Sequence, residues 1–189
     1  YAFMGCQSLI NFTFPLCITT IGNCTFSGCK RVQLDLHRNI NSYGRRCFAA
    51  CEKITNFTIH SNVTEIPNEL FYQCINLNPV IIHDNVTSIG NSAFRECKSL
   101  INFTFPPKVT HISQTLFCDC HSLVSLEIHN NVSSFGTHAF SDCFSLPNCT
   151  IPPKVTKIPL SLFYRCHNLT SLEIHDNVSF IDRSAFYMC

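Results

Sequence analysis

The motif Phe-x-x-Cys returns nine times in these 189 residues, at Phe3/Cys6, Phe26/Cys29, Phe48/Cys51, Phe71/Cys74, Phe94/Cys97, Phe117/Cys120, Phe140/Cys143, Phe163/Cys166 and Phe186/Cys189. Its cysteines stand 23 residues apart at every step except Cys29 to Cys51, where the spacing is 22. Self-similarity at a period of roughly 20–50 residues restricts a chain to stacked repeats, because each unit can bury its apolar face only against its neighbours. Counted from each cysteine, apolar residues return at +3, +6, +8, +12, +15, +19 and +20, as in Leu100, Phe103, Phe105, Val109, Ile112, Leu116 and Phe117. These inward positions define one continuous core. The residue missing from the short unit falls between Val32 and Leu34, after which Leu36, Ile40, Tyr43 and Phe48 resume the register.

Positions +6 and +8 alternate with polar +5 and +7, the period-two pattern of a short strand with one buried face, and Pro or His at +9 ends it. Each coil is thereby expected to contribute one strand, parallel to the next at about 4.8 Å, in a stack on the order of 40 Å long. The return segment, from Val to Phe, is expected to run through turns and a short helical or 3₁₀ piece, since Ile66-Pro67 and Ile158-Pro159 argue against a long helix. The expected class is an α/β solenoid: a leucine-rich repeat of about eight 23-residue coils with one parallel β-sheet face and short helical or 3₁₀ turns on the return side. Residues 1–189 read as a single repeat domain and as a piece of a longer array, because the chain opens and closes inside a unit.

The run Cys97-Lys98-Ser99-Leu100-Ile101-Asn102-Phe103-Thr104-Phe105-Pro106-Pro107-Lys108-Val109-Thr110-His111-Ile112, followed by Leu116-Phe117, resembles the BspA-like leucine-rich repeat. That family's consensus is C-x-S-L-x-x-I-x-I-P-x-x-V-x-x-I-x-x-x-A-F, and the resemblance covers the whole chain in register. It implies the fold above, and large surface proteins of anaerobic bacteria and protozoan parasites that adhere to host matrix, mucosa or other cells. It carries over no catalytic residue. The chain departs from the consensus at +9, where His37, His60, His83, His129 and His175 replace proline.

A two-coil period overlies the first. Position +19 reads Leu70, Ala93, Leu116, Ala139, Leu162, Ala185, so the duplicated unit is a pair of coils. The outward strand positions repeat in the same rhythm as Asn102/Thr104, Ser125/Glu127, Asn148/Thr150 and Ser171/Glu173, and with Thr58 they make a polar face. A face this regular suits a periodic partner, self-assembly or a spacer, whereas a specific protein ligand is not itself periodic.

Net charge is +1 with no run of Lys or Arg, which excludes the electrostatic footprint needed to hold nucleic acid. No apolar stretch approaches the roughly 20 residues of a membrane span. Of fourteen cysteines, nine are the repeat thiols, read as small buried hydrophobes, and Cys47 and Cys149 fall at core positions. Cys17, Cys24 and Cys118 occupy variable positions, and Cys17 with Cys24 is the local pair capable of a disulfide. No paired C-x₂-C motif announces zinc. His37, His60 and His83 sit on three consecutive coils and read either as strand-closing polar residues or as a strip able to share a metal or sense pH. No nucleophile-and-base set, phosphate loop or cofactor motif is present.

Ten of seventeen asparagines begin Asn-x-Ser/Thr. Asn11, Asn56, Asn102 and Asn148 lie on the strand face, Asn62, Asn85, Asn131 and Asn177 in the turn after the strand, with Asn168 and Asn23 elsewhere. They read either as glycan acceptors or as residues suited to turns and strand faces. Together these features point to a non-enzymatic, glycosylated, extracellular or cell-surface protein for adhesion or structural assembly, including end-to-end fibre formation. Its partners would be a protein or glycan of a host or neighbouring cell or matrix, or another copy of itself. The alternative is an intracellular leucine-rich adaptor for protein–protein interaction.

Overall fold

The computed structural model describes residues 1–189 as a solenoid of sixteen short strands and no helix. The first two coils hold β1 (Asn11–Thr13), β2 (Thr20–Ile21), β3 (Gln33–Asp35) and β4 (Ser42–Tyr43). The third and fourth hold β5 (Phe57–Thr58), β6 (Glu65–Ile66), β7 (Val80–Ile81) and β8 (Ser88–Ile89). The fifth and sixth hold β9 (Asn102–Thr104), β10 (His111–Ile112), β11 (Ser125–Glu127) and β12 (Ser134–Phe135). The last two hold β13 (Asn148–Thr150), β14 (Lys157–Ile158), β15 (Ser171–Glu173) and β16 (Phe180–Ile181). About seven turns of the solenoid separate β1 from β15.

Two expectations need correction. Each coil carries two strands rather than one, the second being a two-residue pair such as Ser88–Ile89 whose isoleucine is buried. The return side is not helical or 3₁₀. It is a run of tight turns in which two residues per coil, one immediately before each repeat cysteine and one four residues earlier, take left-handed backbone angles. Glu69 and Gln73 (φ 58° and 60°), Ser92 and Glu96 (55° and 60°), and Thr115 and Asp119 (50° and 64°) are examples. A left-handed residue at each end of the Phe-x-x-Cys segment stops any helix, and it turns alternate amides toward the next coil.

Those amides form the backbone hydrogen-bond ladder that crosses every coil boundary. Arg46, Phe48 and Ala50 donate to the carbonyls of Asn68, Leu70 and Tyr72, and Ser92, Phe94 and Glu96 donate to Gln114, Leu116 and Cys118, at 2.7–3.2 Å. The pattern recurs through Ser161, Phe163 and Arg165. Behind it the repeat phenylalanines stack in an unbroken column from Phe3 to Phe186, with centroids 5.2–6.3 Å apart and planes within 23°.

The strand faces behave differently. The single parallel sheet expected to run through the stack is instead broken into two-stranded parallel ladders, β1 with β3, β5 with β7, β9 with β11 and β13 with β15, and the second row pairs identically. The two-coil period of the sequence is therefore a structural unit. Its lock lies in the second coil of each pair: Gly44, Gly90 and Gly136 donate to Ile21, Ile66 and Ile112 of the first coil in the first three pairs, and Asp182 donates to Ile158 in the fourth. A Cβ at any of these glycines would collide with the backbone of Asn23, Asn68 or Gln114.

The neighbours Ala49 and Ala50 provide a test, because Ala50 is left-handed (φ 55°) and Ala49 is a buried residue outside that region. Ala50→Gly should raise stability by up to about 1 kcal/mol, relief of roughly 1–2 kcal/mol exceeding the roughly 0.4–1 kcal/mol from a freer unfolded chain. Ala49→Gly should lower it by about 1–2 kcal/mol. Urea titrations of both variants check the opposite signs.

Candidate functional site

The repeat thiols do more than fill space. In each coil the cysteine Sγ–H donates to the carbonyl oxygen of the phenylalanine one motif earlier: Cys29 to Phe3, Cys51 to Phe26, Cys74 to Phe48, Cys97 to Phe71, and so on to Cys189 with Phe163, at 2.9–3.3 Å. Burial pushes the Cys74 thiol up to about 12 and holds Cys97 and Cys143 well above the ordinary thiol value. These sulfurs are protonated donors at neutral pH. Cys17 and Cys24 are both free thiols, the first exposed and the second buried at a left-handed position, and no bridge joins them.

The histidines staple coils together. Nδ1 of His37, His83 and His129 accepts the backbone N–H of Asn39, Asn85 and Asn131 at 3.1–3.3 Å. A backbone N–H can only donate, so the proton sits on Nε2, which donates to Pro15, His60 and Pro106 of the preceding coil at 2.7–3.0 Å. Both ring nitrogens are thus engaged in the second coil of three pairs, which favours the strand-closing reading. His60 lies in the first coil of a pair, and its Nε2 is buried without a partner.

Thr58, Thr104, Glu127, Thr150 and Glu173 are all exposed, and Thr104 Oγ1 donates to Glu127 across the pair at 2.8 Å. Because no strand ladder crosses from one pair to the next, the face opens there into shallow grooves. One of about 400 Å³ lies between β3 and β5, lined by Gln33, Asp35, Lys53, Asn56, Thr58 and His60. Another of about 400 Å³ lies against β11 and β13, lined by Glu127, His129, Asn148 and Thr150.

All ten sequon asparagines are exposed. The amides of Asn11, Asn56, Asn102, Asn148 and Asn168 make no side-chain hydrogen bond, whereas Nδ2 of Asn62, Asn131 and Asn177 donates to Arg38, Pro107 and Pro153 of the preceding coil at 2.9–3.5 Å. Asn85 accepts from Lys108 Nζ at 3.1 Å.

One constellation escaped the sequence reading. On the return edge, Cys118, Asp119 and Asp142 bring a sulfur and two carboxylates within 4.8 Å of one another. The signal was present: Cys118-Asp119-Cys120-His121 is followed by Asp142, one 23-residue repeat after Asp119.

A parallel solenoid with a buried Cys/Phe corner and an open polar strand face defines a leucine-rich repeat scaffold. The BspA type leucine rich repeat region (6 copies) matches residues 1–78 and 64–189, and the chain belongs to that family. It is similar to the leucine rich repeat protein of T. pallidum, at 26% identity and TM-score 0.69 over 92% of this chain and 73% of that one. It also shares its fold with a leucine rich cell surface protein of Faecalibacterium prausnitzii, at 24% identity and TM-score 0.54 over 98% of this chain and 66% of that one. A leucine-rich repeat protein of Eubacterium ventriosum is a third, at 18% identity and TM-score 0.54 over 99% and 66%. No curated protein matches the chain.

The thiol ladder predicts a sharp reactivity pattern. Under native reducing conditions iodoacetamide should label the exposed Cys6, Cys17 and Cys189, while Cys74, Cys97, Cys120 and Cys143 react only in denaturant. Peptide mass mapping reads the difference.

Proposed function

We propose that the chain is a non-enzymatic recognition and assembly module of the cell surface or extracellular space, N-glycosylated and engaged in adhesion or structural association. Its partners are a protein or glycan of a neighbouring cell or matrix, or other copies of itself. Four observations support the reading. The family is a scaffold fold whose members generally bind proteins. The strand face is polar, regular and open, with grooves too shallow to enclose a reaction. No helix is long and apolar enough to cross a membrane. The observation that carries the reading is the placement of the sequons: every one is solvent-facing, and the strand-face set leaves the amide nitrogen, the atom a glycan would take, without a protein partner.

One observation favours a second reading, an intracellular adaptor. The buried repeat thiols act as Sγ–H donors across the coil boundaries, a role that needs the reduced form a reducing compartment maintains. Intact mass of the natively purified protein before and after peptide N-glycosidase separates the two. The surface reading expects a large loss of mass, with deamidation first at Asn11, Asn56, Asn102 and Asn148 and less at Asn62, Asn131 and Asn177, whose amides already hold the preceding coil. An unchanged mass contradicts it and leaves the adaptor.

A further inference from the structure

The exposed strand face breaks its own pattern in one place. In three of the four coil pairs the first coil carries a sequon on this face, Asn11-x-Thr13, Asn102-x-Thr104 or Asn148-x-Thr150. The second coil sets a polar residue and an acid in register with it, Gln33/Asp35, Ser125/Glu127 or Ser171/Glu173. In the remaining pair the sequon Asn56-x-Thr58 lies beside Pro79-x-Ile81. Thr58 pairs with Ile81, and Phe57 donates to the Pro79 carbonyl at 3.1 Å. The register carried back one residue sets Asn56 beside Pro79, at the roughly 4.8 Å of adjacent strands. Ile81 is 57% exposed, and Pro79 is exposed with it. Ile101, also exposed, is tied to the same coil by its amide bond to Asn78 Oδ1 at 3.3 Å and extends the strip.

A solitary exposed isoleucine is ordinary on a protein surface. This one stands where a carboxylate stands in the other three pairs, on a face otherwise polar, next to a glycan acceptor whose amide has no protein partner. We propose that the Pro79-x-Ile81 strip is the seat of this chain's own glycan, with the first N-acetylglucosamine on Asn56 lying across both side chains. The inference rests on the glycosylated surface reading and adds an ordered contact to it.

The chemistry fits on both sides. The sugar offers ring C–H groups and an acetyl methyl to the protein and keeps its hydroxyls in water, so it covers an apolar strip without stranding a polar group. In the other pairs the same ring would lie on a carboxylate and strip its hydration, an unfavourable exchange. One of those acids is already engaged, since Thr104 donates to Glu127 at 2.8 Å, whereas Thr58 has only an isoleucine opposite. Seated this way, the glycan leans over the fourth coil. The groove between β3 and β5, which Asn56 and Thr58 also line, stays open to a partner.

The test is a double-substitution cycle on the chain secreted from a glycosylating host, with peptide mass mapping to fix occupancy and urea titration to read stability. Asn56→Gln should lower the folding equilibrium constant about five- to tenfold, the effect of uncovering roughly 40–55 Å² of apolar surface. Asn148→Gln, whose neighbours are Ser171 and Glu173, should change it by less than about twofold, and so should Asn56→Gln once Ile81→Ser is present. The same cycle in chain made without glycosylation should show no coupling. Independently of any variant, the glycoprotein should give a nuclear Overhauser contact between the acetyl methyl of the Asn56 sugar and the Ile81 methyls. A glycan on Asn56 that shows neither the coupling nor the contact overturns the inference alone, as does a bare Asn56 beside occupied sequons elsewhere. Absence of glycan from every sequon overturns the surface reading and this inference together.

Discussion

The structure depends on the corner where each coil turns back, at Phe-x-x-Cys. Three interactions meet there at each step along the solenoid: the phenylalanine column, the thiol donated to a carbonyl one motif away, and alternate backbone amides bonded to the next coil. The magnitudes show which of them governs. Two left-handed residues per coil cost roughly 2–4 kcal/mol, and three backbone hydrogen bonds return about 1.5–4.5 kcal/mol, so the ladder alone comes close to cancelling. Full burial of a phenylalanine adds about 1.5–3 kcal/mol per coil, and the thiol adds a second donor, from the next coil, to a carbonyl that already accepts the cysteine amide of its own motif. Cysteine suits the position because it is at once a small apolar filler and a donor. A disulfide or a metal there would remove the donor from the carbonyl it serves.

Much of this was legible in the chain. Nine copies of one motif reported the period, the inward positions reported the core, and the Leu/Ala alternation at Leu70, Ala93, Leu116 and Ala139 reported a unit of two coils. What stayed hidden has physical reasons. The second strand of each coil is two residues long, too short for an alternating pattern to register. The return segment was misread because Val109, Ile112 and Leu116 fall three and four residues apart, the spacing of an amphipathic helix, while the left-handed angles that forbid one fall in most coils on residues with no special propensity for them, such as Glu69, Gln73, Ser92 and Thr115. The Cys118, Asp119 and Asp142 group was missed because Asp142 stands 23 residues beyond Asp119, and only the stacking of the coils brings it to the Cys118-Asp119 pair.

The contrast between the two sides bears on recognition. The return edge is stitched at each step, so the coils cannot separate there. The strand side has its ladders only within pairs, reinforced by His83 to His60 and Gly90 to Ile66 and their counterparts; scattered side-chain bonds such as Asn62 to Arg38 cross between pairs, and the face opens between β3 and β5 and between β11 and β13. A partner on that face meets polar two-coil tiles of Asn, Thr, Ser and Glu with shallow seams between them. Such a surface suits repeated, modest contacts with a polymeric or multivalent ligand better than one deep, specific pocket.

Amide hydrogen exchange, resolved by residue, tests the central claim most directly. The return-side ladder should be the slowest-exchanging part of the molecule and uniform along it, with Phe48 and Ala50 at a pair boundary as protected as Phe71 and Gln73 within a pair. Strand-face amides should alternate, with Phe57 and Ile59, bonded to Pro79 and Ile81, slow and those facing the seam between β3 and β5 fast. Uniform protection across the strand face, or early exchange of the Phe-x-x-Cys amides, would contradict the account.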